Sequence, residues 1–130
     1  MKVGLIFGCF DLFHIGHLNI LRNAKQNCDY LIVGICNDKH IKDRKNKQLI
    51  FNENDRLEII KSIRNVDEAF LIYGDLKDYK DFIDKRIDII FAGSDHINEE
   101  QFSLFDKQEI KFFPYTKGIS STIIAGKINE

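Results

Sequence analysis

A chain of 130 residues, 44% of them hydrophobic, is long enough to bury one core and falls within the usual size of a single domain. Its 19 basic and 20 acidic side chains leave a formal net charge of -1, which excludes a global field that would draw in nucleic acid or an anionic membrane, so any affinity for phosphate has to be local. No apolar run approaches the ~20 residues of a membrane span and the first residues lack the zones of a signal peptide, so the cytoplasm is the expected location and no membrane partner is expected.

Residues 3–7 are a short apolar run that reads as a buried strand, and Leu18, Ile20, Leu21 and Ala24 recur at the spacing of a helix over about 16–27. Between them lies Gly8-Cys9-Phe10-Asp11-Leu12-Phe13-His14-Ile15-Gly16-His17, a glycine-bearing turn that delivers its side chains to the helix start. A helix start presents unpaired N–H groups and the positive end of the dipole, and residues three apart share a face. His14 and His17 are therefore expected to point at the same phosphate oxygens. Cys9, Cys28 and Cys36 are odd in number and lack CxxC spacing, which argues against a disulfide framework and against structural zinc. Cys28 and Cys36 read as packing residues.

Residues 30–36 read as a second buried strand, which gives βαβ order. The stretch 38–48, with Lys39, Lys42, Arg44, Lys45 and Lys47, is expected to be a mobile basic loop. Charge runs are usually solvated faces, but this one follows the carboxyl end of a strand, where an α/β sheet binds its ligand. A helix is expected over about 53–64 with Leu57, Ile60 and Ile63 as its core stripe, then a strand over 68–72, a helix over about 77–85 and a strand over 87–92. That strand leads into Gly93, where the backbone can approach a ligand closely, and Asp95, which reads as a ligand contact or as a cap of the following turn. A last strand is expected over 110–113 and a closing helix over 120–128. Thr116, Gly118, Ile119, Ser120, Ser121 and Thr122 precede or open that helix, as ordinary caps or as a phosphate cradle. Apolar strands separated by helices predict an α/β, Rossmann-like three-layer sandwich around a mostly parallel five-stranded sheet, with ligands outside the carboxyl ends of the strands.

The order Gly8, Phe10, Asp11, His14, Gly16, His17 resembles the HxGH signature of the nucleotidyltransferase superfamily, in the form found in its cytidylyltransferase-like branch. Segment 54–67 resembles that family's R…L…I…VD helix, segment 91–96 its xGxDW stretch, and segment 114–122 its RTEGISTT motif. Four regions in the right order make the chain similar to small bacterial cytidylyltransferases of the glycerol-3-phosphate type. The resemblance implies attack by a phosphate oxygen of a small alcohol or sugar phosphate on the α-phosphorus of CTP, with Mg²⁺ on the phosphates, pyrophosphate released and a CDP-linked product formed. It makes His14 and His17 transition-state donors and Lys45 and Lys47 holders of the β- and γ-phosphates. Gly8, Cys9, Phe10, Asp11, Gly16, Gly93, Asp95, Thr116, Gly118, Ile119, Ser120, Ser121 and Thr122 become nucleotide contacts, with Cys9 given no catalytic role.

Asp11 is expected to orient the histidines or to hold Mg²⁺ indirectly. Arg64 and Asp67 are expected at the interface of a homodimer or at the nucleotide site. Four positions depart from the pattern. Tyr115 replaces an arginine, Lys117 a glutamate, and Ser94 and His96 an aspartate and a tryptophan. An adenylyltransferase of the same superfamily, of the heptose-phosphate or flavin-nucleotide type, stays open. A non-catalytic nucleotide-binding module is the rival of another class, and the retained Asp11, His14 and His17 argue against it. Segments 73–79 and 96–105 match no motif, so the acceptor is not named.

Overall fold

A computed structural model describes residues 1–45 and 49–128, without the side chains of Arg44 and Lys45. The five strands are β1 (Val3–Gly8), β2 (Tyr30–Cys36), β3 (Glu68–Ile72), β4 (Ile89–Gly93) and β5 (Glu109–Phe113), all parallel, in the spatial order β3-β2-β1-β4-β5. The chain steps outward from β1 to β3, then returns past β1 to lay down β4 and β5. The direction of winding therefore reverses between β1 and β4, the place where such sheets open a ligand crevice.

Period-2 alternation splits the apolar strand residues between the two faces. Ile6, Leu31, Val33, Ile35, Ile89 and Phe91 pack with Leu21 and Ala24 of α1 (Ile15–Gln26) and Ile60 of α3 (Glu53–Lys61). Leu5, Ile32, Ile90 and Ala92 pack with Leu76 and with Ile83 of α4 (Lys80–Arg86) on the other face. This is the expected three-layer sandwich, with its sheet parallel throughout. Each fully buried Leu or Ile contributes roughly 1.5–3 kcal/mol.

Two expectations need correction. Residues 38–45 form a helix, α2 (Asp38–Lys45), because Ile41 is buried and its first turn is interlocked with that of α3. Asp38 N–H donates to Glu53 and Glu53 N–H to Asp38, each at 3.1 Å. The helix expected over 77–85 is instead a 3-10 turn, Leu76–Tyr79, followed by α4. Asp78 accepts from Asp75 N–H at 2.8 Å, which helps to set that tight turn. Residues 46–48, the end of the basic stretch, lie outside the described residues. The last helix is α5 (Ser121–Ile128).

Candidate active site

The turn after β1 builds the centre of the site. A side chain at Gly8 would meet the Phe10 ring, whose Cε2 stands 2.6 Å from where a Cβ would sit. Phe10 (φ 56°) and Leu12 (φ 47°) both take left-handed backbone, costing about 1–2 kcal/mol each for residues with a Cβ. Burial of the Phe10 ring in the core helps to offset this. The turn leaves His14 at the N-cap of α1. Its Nδ1 accepts from Gly16 N–H at 3.0 Å, while its own N–H donates to His17 Nδ1 at 3.2 Å, a reciprocal cap made of two histidines. A Cβ on Gly16 would lie 2.8 Å from His14 Cε1, so the cap requires glycine there.

The cap also fixes the tautomers. Each Nδ1 accepts, so each neutral ring carries its proton on Nε2. The rings are stacked with centroids 3.8 Å apart, and Phe10 and Phe13 flank His17 at 5.3 and 5.4 Å. Burial holds the His14 pKa below its ordinary 6.5, favouring the neutral form.

The start of α5 docks onto this turn. Ser121 donates to the Asp11 carbonyl, Asn19 donates to Thr116 Oγ1 at 2.9 Å, and Ile119 packs beside Gly16. Gly118 has φ 80°, Ser120 Oγ accepts from Ile123 N–H at 3.1 Å, and Thr122 is exposed. Two helix starts thus meet over the carboxyl end of β1, with backbone N–H groups and Nε2–H donors gathered where an anion is stabilised. At the end of β4 a Cβ on Gly93 would lie 2.6 Å from Asp95 Oδ1. The hydrogen bond to Asp95 pushes the Tyr115 hydroxyl up to about 12. Tyr115, which stands where the resembling motif has an arginine, is therefore tied to Asp95.

Asp11 is bonded to the backbone of the loop that enters α3. It is buried, and its two oxygens accept from Ile50 N–H and Phe51 N–H at 2.9 Å each. It anchors the chain entering α3 to the turn that carries the histidines. Arg56 is fully buried, and its guanidinium donates to the carbonyls of Cys9 and Cys36 at 2.8 Å each, to Phe51 O at 3.1 Å and to Asp38. It ties the carboxyl ends of β1 and β2 to α3.

Arg64 and Asp67 are not brought to this centre. Arg64 is exposed, and Asp67 lies at the opposite, amino edge of the sheet, where it pairs with Lys25 and accepts from Leu31 N–H at 2.8 Å. Lys45 ends α2, and its side chain, like Lys47, lies outside the described residues.

Beside the histidine turn, on the α4 face, opens a cleft of about 670 Å³. It is lined by Gly8, Cys9 and Cys36, by His40 of α2, and by Asp75, Lys77, His96, Glu99 and Gln101 of the two segments the sequence left unread, over an apolar floor that includes Phe102. His40 pairs with Asp75 at 3.3 Å, and His96 pairs with Asp95 at 3.2 Å and with Glu99. Apart from His96, which ends the 91–96 segment, no motif marks these residues. Their legible signal is position, since each follows the carboxyl end of β2, β3 or β4.

The Cytidylyltransferase-like family model matches residues 5–127, and the chain belongs to this family. It is 37% identical over 128 residues to glycerol-3-phosphate cytidylyltransferase of Bacillus subtilis (strain 168), covering 98% of each protein. It is 40% identical over 102 residues to FAD synthase of Picrophilus torridus, covering 78% of this chain and 71% of that one. Among solved structures, the lipopolysaccharide core biosynthesis protein of Thermoplasma volcanium GSS1 is similar with a TM-score of 0.71 at 28% identity, over 92% of this chain and 99% of that one. The protein is a nucleotidyltransferase of the cytidylyltransferase kind. Among the described residues no helix is long and apolar enough to cross a membrane.

Proposed function

We propose that the protein transfers CMP from CTP to a small alcohol or sugar phosphate, with glycerol 3-phosphate the best match, releasing pyrophosphate. The observation that carries this reading is the two-histidine cap, which fixes two imidazoles as Nε2–H donors at a helix start. An acceptor phosphate oxygen forms the new bond to the α-phosphorus while the bond to the bridging oxygen of pyrophosphate breaks. His14 and His17 donate to oxygens on which charge accumulates, and the N–H groups at the starts of α1 and α5 add to this stabilisation. No covalent intermediate is needed, because a phosphate dianion is itself a nucleophile.

The backbone of Gly8, Cys9 and Phe10 and the 116–122 segment hold the nucleotide phosphates, Gly93 and Asp95 face the nucleoside, and the charges of Lys45 and Lys47 are assigned to the β- and γ-phosphates. The acceptor enters the cleft beside Lys77 and His40. Among the described residues no group of three or more His, Cys, Asp or Glu side chains is arranged to hold a metal ion. Mg²⁺ enters this proposal on the nucleotide substrate, carried on triphosphate oxygens whose charge it offsets. The reading includes a cytoplasmic homodimer, with the exposed Arg64 as an interface residue, testable by light scattering.

One observation favours a second reading. The Tyr115–Asp95 pair alters the surroundings of the nucleoside, and the similarity to an FAD synthase spans most of the chain. That reading is adenylyl transfer. Pyrophosphate release with CTP or ATP against glycerol 3-phosphate, phosphocholine, phosphoethanolamine and sugar phosphates separates the two. Release with CTP and glycerol 3-phosphate is expected, and release with ATP alone would replace the proposal.

A further inference from the structure

Cys9 and Cys36 stand one rung beyond the β1–β2 ladder. The two strands pair with a constant offset, from Val3 against Tyr30 to Gly8 against Ile35, and the next step sets Cys9 against Cys36. Alternation puts both thiols on the α4 face, since Leu5 and Phe7 of β1 and Ile32 of β2 already pack there. The preceding rung on that face is in contact, with the Phe7 ring 2.6 Å from where a Cβ of Gly34 would sit. The strands stay adjacent past the ladder, because one guanidinium nitrogen of Arg56 reaches the carbonyls of Cys9 and Cys36 at 2.8 Å each. Neighbouring strands lie roughly 4.8 Å apart, inside the roughly 4.4–6.8 Å Cα separation of disulfides. Both residues are thiols and both line the cleft, where a small oxidant can reach them.

We propose that Cys9 and Cys36 are a modification site: under oxidation by a low-molecular-weight disulfide they close into a reversible intramolecular bridge that narrows the cleft floor. One protein thiolate attacks a sulfur of oxidised glutathione, forming a mixed disulfide and releasing one glutathione. The second thiolate then attacks the protein-bound sulfur, forming the Cys9–Cys36 bond and releasing the second glutathione. Two protein thiols are oxidised and one small disulfide is reduced, and the two protons end on the glutathione thiols. The bridge ties the turn that delivers His14 to the start of α2. Its effect on turnover rests on the proposed transfer reaction, but its formation does not.

The test treats the reduced full chain with oxidised glutathione, maps non-reduced peptides by mass spectrometry and assays turnover before and after dithiothreitol. The expected result is one cross-linked pair, Cys9 with Cys36, and a loss of turnover of about tenfold or more that dithiothreitol reverses, the scale of a small misplacement of positioning groups. Cys36→Ser should form no bridge and should keep after the treatment whatever turnover it shows before it, with its fold checked by circular dichroism. Cys28→Ser should change neither result, since Cys28 lies beside Gly4 near the other end of β1 and bonds to the Ala24 carbonyl. Single glutathione adducts without a bridge, a bridge that includes Cys28, or a Cys9–Cys36 bridge that leaves turnover unchanged would each overturn the proposal. If the reduced protein shows no transfer activity the functional reading fails, and the peptide map still decides the bridge.

Discussion

The two edges of the sheet use aspartate for the same backbone task but toward different ends. At the amino edge Asp29, Asp67 and Asp88 each stand one residue before a strand. Each carboxylate accepts an N–H from the neighbouring strand, from Lys2, Leu31 and Val3 at 2.7 to 2.8 Å, and each aspartate's own N–H returns to the carbonyl of that same neighbour. Three identical clips close the strand starts against fraying. At the carboxyl edge Asp11 accepts two N–H groups as well, but they belong to the loop entering α3, and what this holds in place is the turn that carries the histidines. Loss of a clip at the amino edge should therefore cost stability alone. At the carboxyl edge the same kind of loss moves reacting groups.

The largest effect is expected at the carboxyl edge. His17→Ala removes an Nε2–H donor and the partner of His14 N–H, and turnover should fall about a hundredfold to a thousandfold while circular dichroism stays that of the wild type. Turnover near the wild-type level in a folded variant would remove His17 from the chemistry. Arg56→Met comes next and tests whether one residue serves both ends. It strands the Cys9, Cys36 and Phe51 carbonyls and removes the ion pair of Asp38, so unfolding should become easier by about 3 kcal/mol, roughly 10 °C in Tm. Turnover measured well below the new Tm should fall too, because the ends of β1 and β2 lose their common tie. Unchanged turnover there would make Arg56 a stability residue only.

This contrast explains what could be read from the chain. β1, β2 and β4 were legible because each is apolar throughout apart from its glycines, and 30–36 matches β2 residue for residue. His14, His17 and Gly16 were legible because a helix cap is local, so spacing alone places its groups. The helical state of 38–45 was not, since it depends on Glu53, fifteen residues further on, and on burial of Ile41. The role of Asp11 was hidden for the same reason, its partners lying about forty residues away. The cleft was illegible as a motif because His40, Lys77, His96 and Gln101 converge from three stretches far apart in the chain, which no local pattern encodes. The three aspartates at the amino edge did carry a signal, each standing just before a strand, and that recurrence was there to be read.

A pH titration sharpens the comparison with a smaller effect. Burial lowers the His14 pKa, so the unfolded chain takes up its proton first as pH falls. The stability that His14 contributes is therefore complete above about pH 6.5 and declines below it toward the lower folded value. The proton would go to Nδ1, which then could not accept from Gly16 N–H. Tm of the ligand-free protein should drop between about pH 7.5 and about pH 5.5, and His14→Asn, which keeps a capping oxygen, should flatten the drop. An equal drop in both proteins would assign the dependence to another group.

Asp67→Asn is the smallest change and the cleanest at the other edge. Burial alone would raise the Asp67 pKa, but the hydrogen bonds from Lys25 and from Leu31 N–H outweigh it and hold the carboxyl below its ordinary 3.8. A depressed acid contributes stability that is present above the unfolded value and lost as pH falls through the folded one. The amide keeps an oxygen for Leu31 N–H and loses the charge facing Lys25, and both side chains of that pair are about 30% exposed, so the cost at neutral pH should be only about 0.5–1 kcal/mol. Denaturant titrations should show that gap at neutral pH and its disappearance below about pH 4. Turnover should match the wild type at both protein stabilities. A loss of turnover larger than the loss of folded protein would mean that the amino edge communicates with the histidines, and the division of labour between the two edges would fail.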